Sequence, residues 1–241
     1  MTNIYLSIII PVYNEEKRIE RCLRKIEEYF SGRKYSYEVI LFDDQSSDKS
    51  VEIIEKNIKN KSNYHLIKNH VNRGKGYGVK KGVEASLGKY ILFTDADLST
   101  PIEDLGKLLA HINQFPVVIG SRYMTSGSIK IKQSFTRRLV SRLGNMAIRL
   151  ILGLKYKDTQ CGFKLFQSAA VKQIFSRVTI DRWGFDMEVL TIAKILNYQV
   201  KEVAVDWSDD KNSKLRAGRD AINTLKELIK IKINVLKKKY K

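Results

Sequence analysis

Two aspartates one residue apart, Asp95 and Asp97, close an apolar run in YILFTDADLST, residues 90–100. Tyr90 to Thr94 are strand formers in a run too short for a helix, and side chains at i and i+2 of a strand point the same way. Both acids are therefore expected on one side of a strand's carboxyl end. Thr100, Pro101 and Glu103 follow with the spacing of a helix start: a hydroxyl cap, proline at the first helical position, and an acid three residues after the cap. Two like charges this close either splay into solvent or hold a cation. A hard divalent ion such as Mg2+ or Mn2+ takes oxygen ligands and is commonly held by one or two carboxylates together with substrate phosphates. That second reading asks for a phosphate-bearing substrate.

A second acidic pair, Asp43 and Asp44, ends the run YEVILFDD, with Ser46, Ser47 and Asp48 ready to cap the helix that follows. Capping accounts for Ser47 or Asp48 but not for Asp44, whose carboxylate suits the N–H of a nucleobase. Downstream, NRGKGYG supplies Arg73 and Lys75 with three glycines at the start of a helix. Glycines permit a tight turn and a helix N-terminus favours anions, so Lys75 is a candidate phosphate contact. The stretch has neither the Walker A nor the dinucleotide spacing, and an ordinary turn explains it locally as well.

These residues need a scaffold, and the pattern names one. LSIIIPVYN and YEVILFDD read as strands, with Ile19, Cys22, Leu23 and Ile26 at helical spacing between them, so the chain opens with a βαβ unit. KSVEIIEKNIKN is a second helix, YHLIKN a short strand, and GYGVKKGVEASLG a helix leading to the strand before Asp95. A strand in FPVVIGSR, a basic helical stretch to about residue 153, and a helix and strand within 181–207 complete the alternation. From residue 218 the chain reads as one long helix. The expectation is an α/β fold with a mainly parallel sheet flanked by helices, whose ligands lie at the strands' carboxyl ends. Residues 1–217 form the main domain and 218–241 a basic amphipathic appendage.

The 241 residues carry a net charge of +18, concentrated in two places. Residues 121–157 hold nine Lys or Arg and no acid, and residues 214–241 hold ten against Asp220 and Glu227. Such charge suits a polyanion, either nucleic acid or an anionic membrane surface, or else forms a solvated basic face. Cys22 and Cys161 lie far apart and fit a reducing compartment. No stretch reaches the roughly 18 apolar residues of a spanning helix, so a cytoplasmic chain is expected.

IIIPVYNEE, FDDQSSD, NRGKGYG, FTDADLS and VIGSR, in this order, resemble the family 2 glycosyltransferases of the GT-A fold. The downstream run DTQCGFKLF, RWGFDMEVLTIA, VKEVAVDWSDDKNSKL is similar to the polyprenyl-phosphate glycosyltransferases, most of all the dolichyl-phosphate β-glucosyltransferase branch. The resemblance covers roughly residues 5–225. It implies an inverting transfer of glucose from UDP-glucose to a polyprenyl phosphate, with Mg2+ or Mn2+ as cofactor. It further implies that Pro11, Tyr13, Glu15, Asp44 and Lys75 meet the nucleotide, and that Asp95 and Asp97 are the metal ligands of a DxD motif. Arg122, Arg137 and Ser141 match acceptor-phosphate positions. An arginine usual before SKL is replaced near Asp209 and Asp210, leaving Lys214 and Arg216 as the candidate cations there.

A phosphate acceptor, with a second pKa of about 6, is already largely anionic at neutral pH and needs no general base. His65, His70 and His111 then stay ordinary. Within the same fold, GDP-mannose is the rival donor, and a hydroxyl acceptor would require a base, for which Asp186 in RWGFDME is the candidate unless it orients Arg182 or Trp183. A nucleic-acid binder would explain the charge but not four acids at strand ends, and no RNP-type or zinc motif is present. The expected partners are therefore the nucleotide sugar, the lipid phosphate and an anionic membrane on its cytoplasmic face, with no nucleic acid. A membrane-protein partner or a second copy stays open. Ile222, Leu225, Ile229, Ile233 and Leu236 recur at helical spacing beside lysines, as in a helix lying on a membrane, or as in one packed on its own domain.

Overall fold

The computed structural model describes residues 4–124, 135–208 and 217–241, the side chains of 135–142 and 217–222 excepted. The chain runs β1 (Leu6–Val12), α1 (Ile19–Phe30), β2 (Tyr37–Asp43), α2 (Ser50–Ile58), β3 (Tyr64–Lys68), α3 (Lys75–Ala85) and β4 (Tyr90–Phe93). After a 3-10 turn at Ile102–Asp104 it continues through α4 (Leu105–Leu109), β5 (Val117–Ser121), α5 (Phe135–Leu152), β6 (Lys164–Gln167), α6 (Ser168–Phe175), α7 (Phe185–Ile195), β7 (Val200–Ala204) and α8 (Ala217–Leu236).

The seven strands form one sheet in the order β3-β2-β1-β4-β6-β5-β7. Only β6 runs against its neighbours, pairing antiparallel with β4 and with β5. β1 is apolar but for Ser7 because both its faces are covered: Leu6, Ile8, Ile10 and Val12 enter one core with α1, while Ile9 enters the other with α3 and α7. Alternation along the strand thus serves two cores, and α8 joins the second through Leu228 and Ile231. Among the described residues, no helix is long and apolar enough to cross a membrane.

Because β2, β1 and β4 are adjacent and parallel, their carboxyl ends lie side by side. The loops that begin after Val12, Asp43 and Phe93 therefore share one edge. Three local expectations are corrected here. β4 ends at Phe93, so Asp95 and Asp97 owe their proximity not to strand alternation but to a turn closed by the Leu98 N–H donating to Asp95 O at 3.1 Å. Thr100 does not cap a helix: Pro101 is extended and a 3-10 turn follows it, so the α-helix waits until Leu105. The serines after Asp44 do not cap α2 either. Ser46 and Ser50 hydroxyls accept the Asn14 and Glu15 N–H groups at 2.8 and 2.6 Å, and Asp48 accepts that of Glu16 at 3.1 Å. Their polarity ties the loop after β1 to the loop after β2, while the other oxygen of Asp48 accepts the Ser50 N–H at 2.9 Å, the local contact at the start of α2 that the sequence expected of it.

Candidate active site

Asp95 and Asp97 hang from the turn beyond β4. Asp97 accepts the Ser99 N–H at 2.8 Å, an Asx-type contact that fixes its carboxylate two residues back from the turn's end. Burial pushes the Asp97 carboxyl above its ordinary range and the charge of Asp95 adds to the shift. Two half-sheltered carboxylates are thus held together against their repulsion. Lys75, in the first turn of α3, answers them with its Nζ 2.5 Å from Asp95 Oδ1. Burial works to lower the Lys75 pKa, yet Asp95, Asp186 and Asp97 outweigh it and the group stays charged. Its ammonium also lies 5.5 Å from the Trp183 ring centroid, a cation–π distance.

On the far side of Asp95 is Gly162, between α5 and β6. A Cβ there would run into the Asp95 carboxylate and would lie 3.2 Å from the Lys75 ammonium. Only a residue without a side chain lets this ion pair sit where it does. Among the described residues, no three His, Cys, Asp or Glu side chains gather into a metal cage. A carboxylate pair is nevertheless a fitting donor set for a hard cation that completes its shell with phosphate and water oxygens.

Asp44 is buried, and its carboxylate accepts the N–H groups of Arg73 at 3.0 Å and Gly74 at 2.6 Å, together with the Asn69 amide at 3.0 Å. It therefore anchors the NRG loop, which must turn through Gly74 at a φ of +111° before α3 can start. Arg73 pairs with Asp181 at 2.9 Å and stacks on Tyr77. Pro11 lies near the end of β1, beside Gly78 of α3. Tyr13 is exposed just past that strand's end, and Glu15 pairs with Arg18 at 2.6 Å. The residues that the sequence assigned to the nucleotide thus lie along one edge, with the carboxylate of Asp44 turned to the NRG loop.

Arg122, just past β5, forms a two-pronged ion pair with buried Asp158, Nε at 2.7 Å and Nη2 at 2.9 Å. Burial opposes the charge on Asp158, but Arg122 prevails and holds the acid below its usual range. Asp186 opens α7 in the same interior, ion-paired to fully buried Lys164, which also donates to Cys161 O at 2.5 Å. Its partner is neither Arg182 nor Trp183, the two that the sequence offered. Arg137 and Ser141 fall on α5, where their side chains lie outside the described residues, and Lys214 and Arg216 lie outside the described residues altogether. Gly162, Lys164 and Asp158 were not singled out from the sequence. Their signal was present, a lysine and an acid within the short DTQCGFKLF run, but their partners are remote in the chain.

Cys22 and Cys161 are both buried free thiols. Burial pushes the Cys161 thiol up to about 11 and Cys22 further still, so neither is a nucleophile at neutral pH.

Solved structures share this architecture. Glucosyl-3-phosphoglycerate synthase from Mycobacterium tuberculosis, crystallised with Mn2+, UDP and glucosyl-3-phosphoglycerate, superposes with a TM-score of 0.68 at 16% identity, over 95% of this chain and 80% of that one. TarS 1-349 of S. aureus in complex with UDP-GlcNAc gives 0.61 at 20% identity, over 95% and 66%. At such identities the likeness is one of fold, the GT-A type. Sequence relatives are nearer. The dolichyl-phosphate β-glucosyltransferase of Dictyostelium discoideum is 36% identical over 97% of this chain and 76% of its own length. Those of Saccharomyces cerevisiae and Homo sapiens are 34% and 31% identical, over 97% and 96% of this chain and 75% and 76% of theirs. The glycosyl transferase family 2 model matches residues 7–175, a span that runs from β1 through the carboxylate turn to the end of α6, and the chain belongs to that family.

Proposed function

We propose that this chain moves glucose from UDP-glucose to a dolichyl-type polyprenyl phosphate, inverting the anomeric centre, at the cytoplasmic surface of the membrane that holds the lipid. The carrying observation is the Asp95–Asp97 pair set against Lys75 at the edge where β1, β2 and β4 end. Near-full-length similarity to the glucosyltransferases supports glucose and dolichyl phosphate over the mannosyl alternative.

With Mg2+ or Mn2+ bound, Asp95 and Asp97 would be its protein ligands, and the ion would stabilise the charge that grows on departing UDP as a Lewis acid. The chain's own contribution is a fixed field. Lys75 brings a second positive charge beside the acids, held by Asp95 and sheltered by Trp183 and Phe185, so that it is preorganised for a diphosphate. Asp44 holds the 73–74 turn from which Lys75 projects, and Pro11, Tyr13 and Glu15 form the neighbouring wall for the nucleoside. For the acceptor we assign Arg122, Arg137, Ser141 and Lys214 to its phosphate. A guanidinium has five N–H donors and Asp158 takes two from Arg122, so the pair orients the group without exhausting it. Asp186 is buried with its carboxylate engaged by Lys164, which suits a phosphate acceptor that needs no proton removed.

The test is turnover by purified protein with a panel of sugar nucleotides. UDP-glucose and a polyprenyl phosphate should give lipid-linked glucose, and the corresponding polyprenol should give none. Equal turnover of the free alcohol would return Asp186 to the role of base.

A further inference from the structure

α8 has two apolar faces. Leu228 and Ile231 turn inward onto α7 and the second core, while Leu225, Ile229, Ile233 and Leu236 turn outward. At about 100° per residue the outward four form one stripe, roughly opposite the packed side. The sequence pattern pointed to this stripe together with Ile222, whose side chain lies outside the described residues; the other arrangement it left open, a helix packed on its own domain, is present through Leu228 and Ile231 on a different face. α5 repeats the arrangement. Ile148 and Leu152 face the same core, and Leu143, Met146 and Leu150 face away from it. The two helices lie side by side, with Lys232 of α8 donating to the Ile151 carbonyl at 2.9 Å. Seven large apolar side chains, between 43% and 75% exposed, thus crown two adjacent helices on one side of the molecule. Monomers rarely leave more than a few hundred Å2 of contiguous apolar surface uncovered without using it.

We infer that α5 and α8 together form a bilayer-docking ridge, with α8 not acting alone. Charge selects the occupant. Lys226 and Lys230 are exposed on α8 and Lys237, Lys238 and Lys239 just past its end, and α5 contributes no acid. Glu227, the one acid among the described side chains of α8, is turned inward to accept the Gly184 N–H at 2.7 Å. An apolar crest rimmed by lysines matches acyl chains below anionic headgroups. A two-fold pair of such ridges would set the same lysine rims against each other, which disfavours a second copy. The inference goes beyond the acceptor assignment and stands on exposure and charge alone. It also locates the mouth of the site, because Glu227 and Gly184 join the ridge helix to the loop that carries Trp183.

The experiment is flotation of the full chain with acceptor-free vesicles of phosphatidylcholine, with and without phosphatidylserine. Binding should require phosphatidylserine and fall with salt. Met146→Asn with Leu150→Asn on α5, and separately Ile229→Asn with Ile233→Asn on α8, should each weaken it by about tenfold or more. Turnover of a short, water-soluble prenyl phosphate by these variants should stay at wild-type level, which separates loss of docking from loss of the activity proposed above. A nitrobenzoxadiazole probe at Leu150→Cys, with both native thiols buried, should shift to the blue on vesicles, and one at Glu55→Cys should not. Unchanged binding by the α5 variant together with an unshifted probe at 150 would overturn the ridge. So would a concentration-dependent dimer in sedimentation that the same substitutions abolish, which would make the crest a contact between copies.

Discussion

Gly162→Ala is the sharpest test of the site's construction, because it adds one carbon and touches only the ion pair. The new Cβ would lie 3.0 Å from Asp95 Cγ, 3.2 Å from Lys75 Nζ, and inside contact distance of Asp95 Oδ2. A comfortable carbon–oxygen contact is over 3 Å, so the carboxylate must move by about 1 Å or rotate away. A misplacement of that size in a positioned group costs on the order of 10²-fold in rate, which is about 2.7 kcal/mol of transition-state stabilisation. Folding should be far less affected. Gly162 does not occupy the left-handed region, so alanine brings no backbone strain and restricts the unfolded chain, a gain of about 0.4–1 kcal/mol set against local crowding. The two effects leave the melting temperature within a few degrees of wild type. Steady-state kcat/KM for sugar-nucleotide turnover, a thermal melt, and Mn2+ titration by electron paramagnetic resonance make up the assay. Gly106→Ala is the control, since nothing lies within 4 Å of its added carbon. If Gly162→Ala kept kcat/KM within about threefold of wild type, the Asp95–Lys75 geometry would not be the one that works.

Three further outcomes follow from the same charges. Lys164→Met strands Asp186 as a buried unpaired carboxylate and should cost about 3–5 kcal/mol in urea unfolding, most of it recovered by adding Asp186→Leu; a single-variant loss under about 1 kcal/mol argues against a dry pair. Asp97→Asn should abolish turnover yet raise the melting temperature at neutral pH. Its folded pKa lies above 3.8, so the ionised form is penalised by the fold; stability falls as pH rises through the window above 3.8, and the gap between variant and wild type should close as pH drops back through it. A gap that widens on acidification contradicts that sign. EDTA should remove activity reversibly, with Mn2+ or Mg2+ restoring it, and full turnover in EDTA rules out Asp95 and Asp97 as metal ligands.

What could be read from the sequence divides along a physical line. Helices and strands announce themselves through local periodicity, so the βαβ start, the helix after NRGKG and the terminal helix were legible, as were acids placed where strands end. β6 was not, because four residues carry no period and these begin with a lysine and end with a glutamine. The fully buried Lys164 looks like a surface residue until Asp186, twenty-two positions on, is brought to it. Ser46 and Ser47 misled for a similar reason. Their types suit a local cap, but their partner Asn14 is more than thirty residues away. Amphipathic periodicity in α8 showed a stripe without showing which side the domain would cover.

The long-range contacts absent from the sequence patterns meet on one strap, residues 178–188, between α6 and the first turn of α7. Asp181 takes the Arg73 guanidinium at 2.9 Å, and its carbonyl accepts the Tyr77 N–H at 2.9 Å, so the strap grips both sides of the turn that presents Lys75. Lys75 in turn lies over Trp183 and Phe185. At the strap's other end, buried Glu188 accepts the N–H groups of Thr179 and Ile180 at 2.9 and 2.8 Å and the Tyr240 hydroxyl at 2.6 Å, and Glu227 of α8 accepts Gly184 N–H. A carboxylate buried this deeply is tolerable only when its lone pairs are filled, and Glu188 fills them from two separate parts of the chain. The cation beside the Asp95–Asp97 pair and the helix bearing half of the exposed crest are therefore held by one segment. Little of this is local to TIDRWGFDME: apart from the bonds of Glu188 to Thr179 and Ile180, the partners come from Arg73 and the start of α3, and from α8 and the residues just past it. The segment is positioned by the fold, and it positions the chemistry in turn.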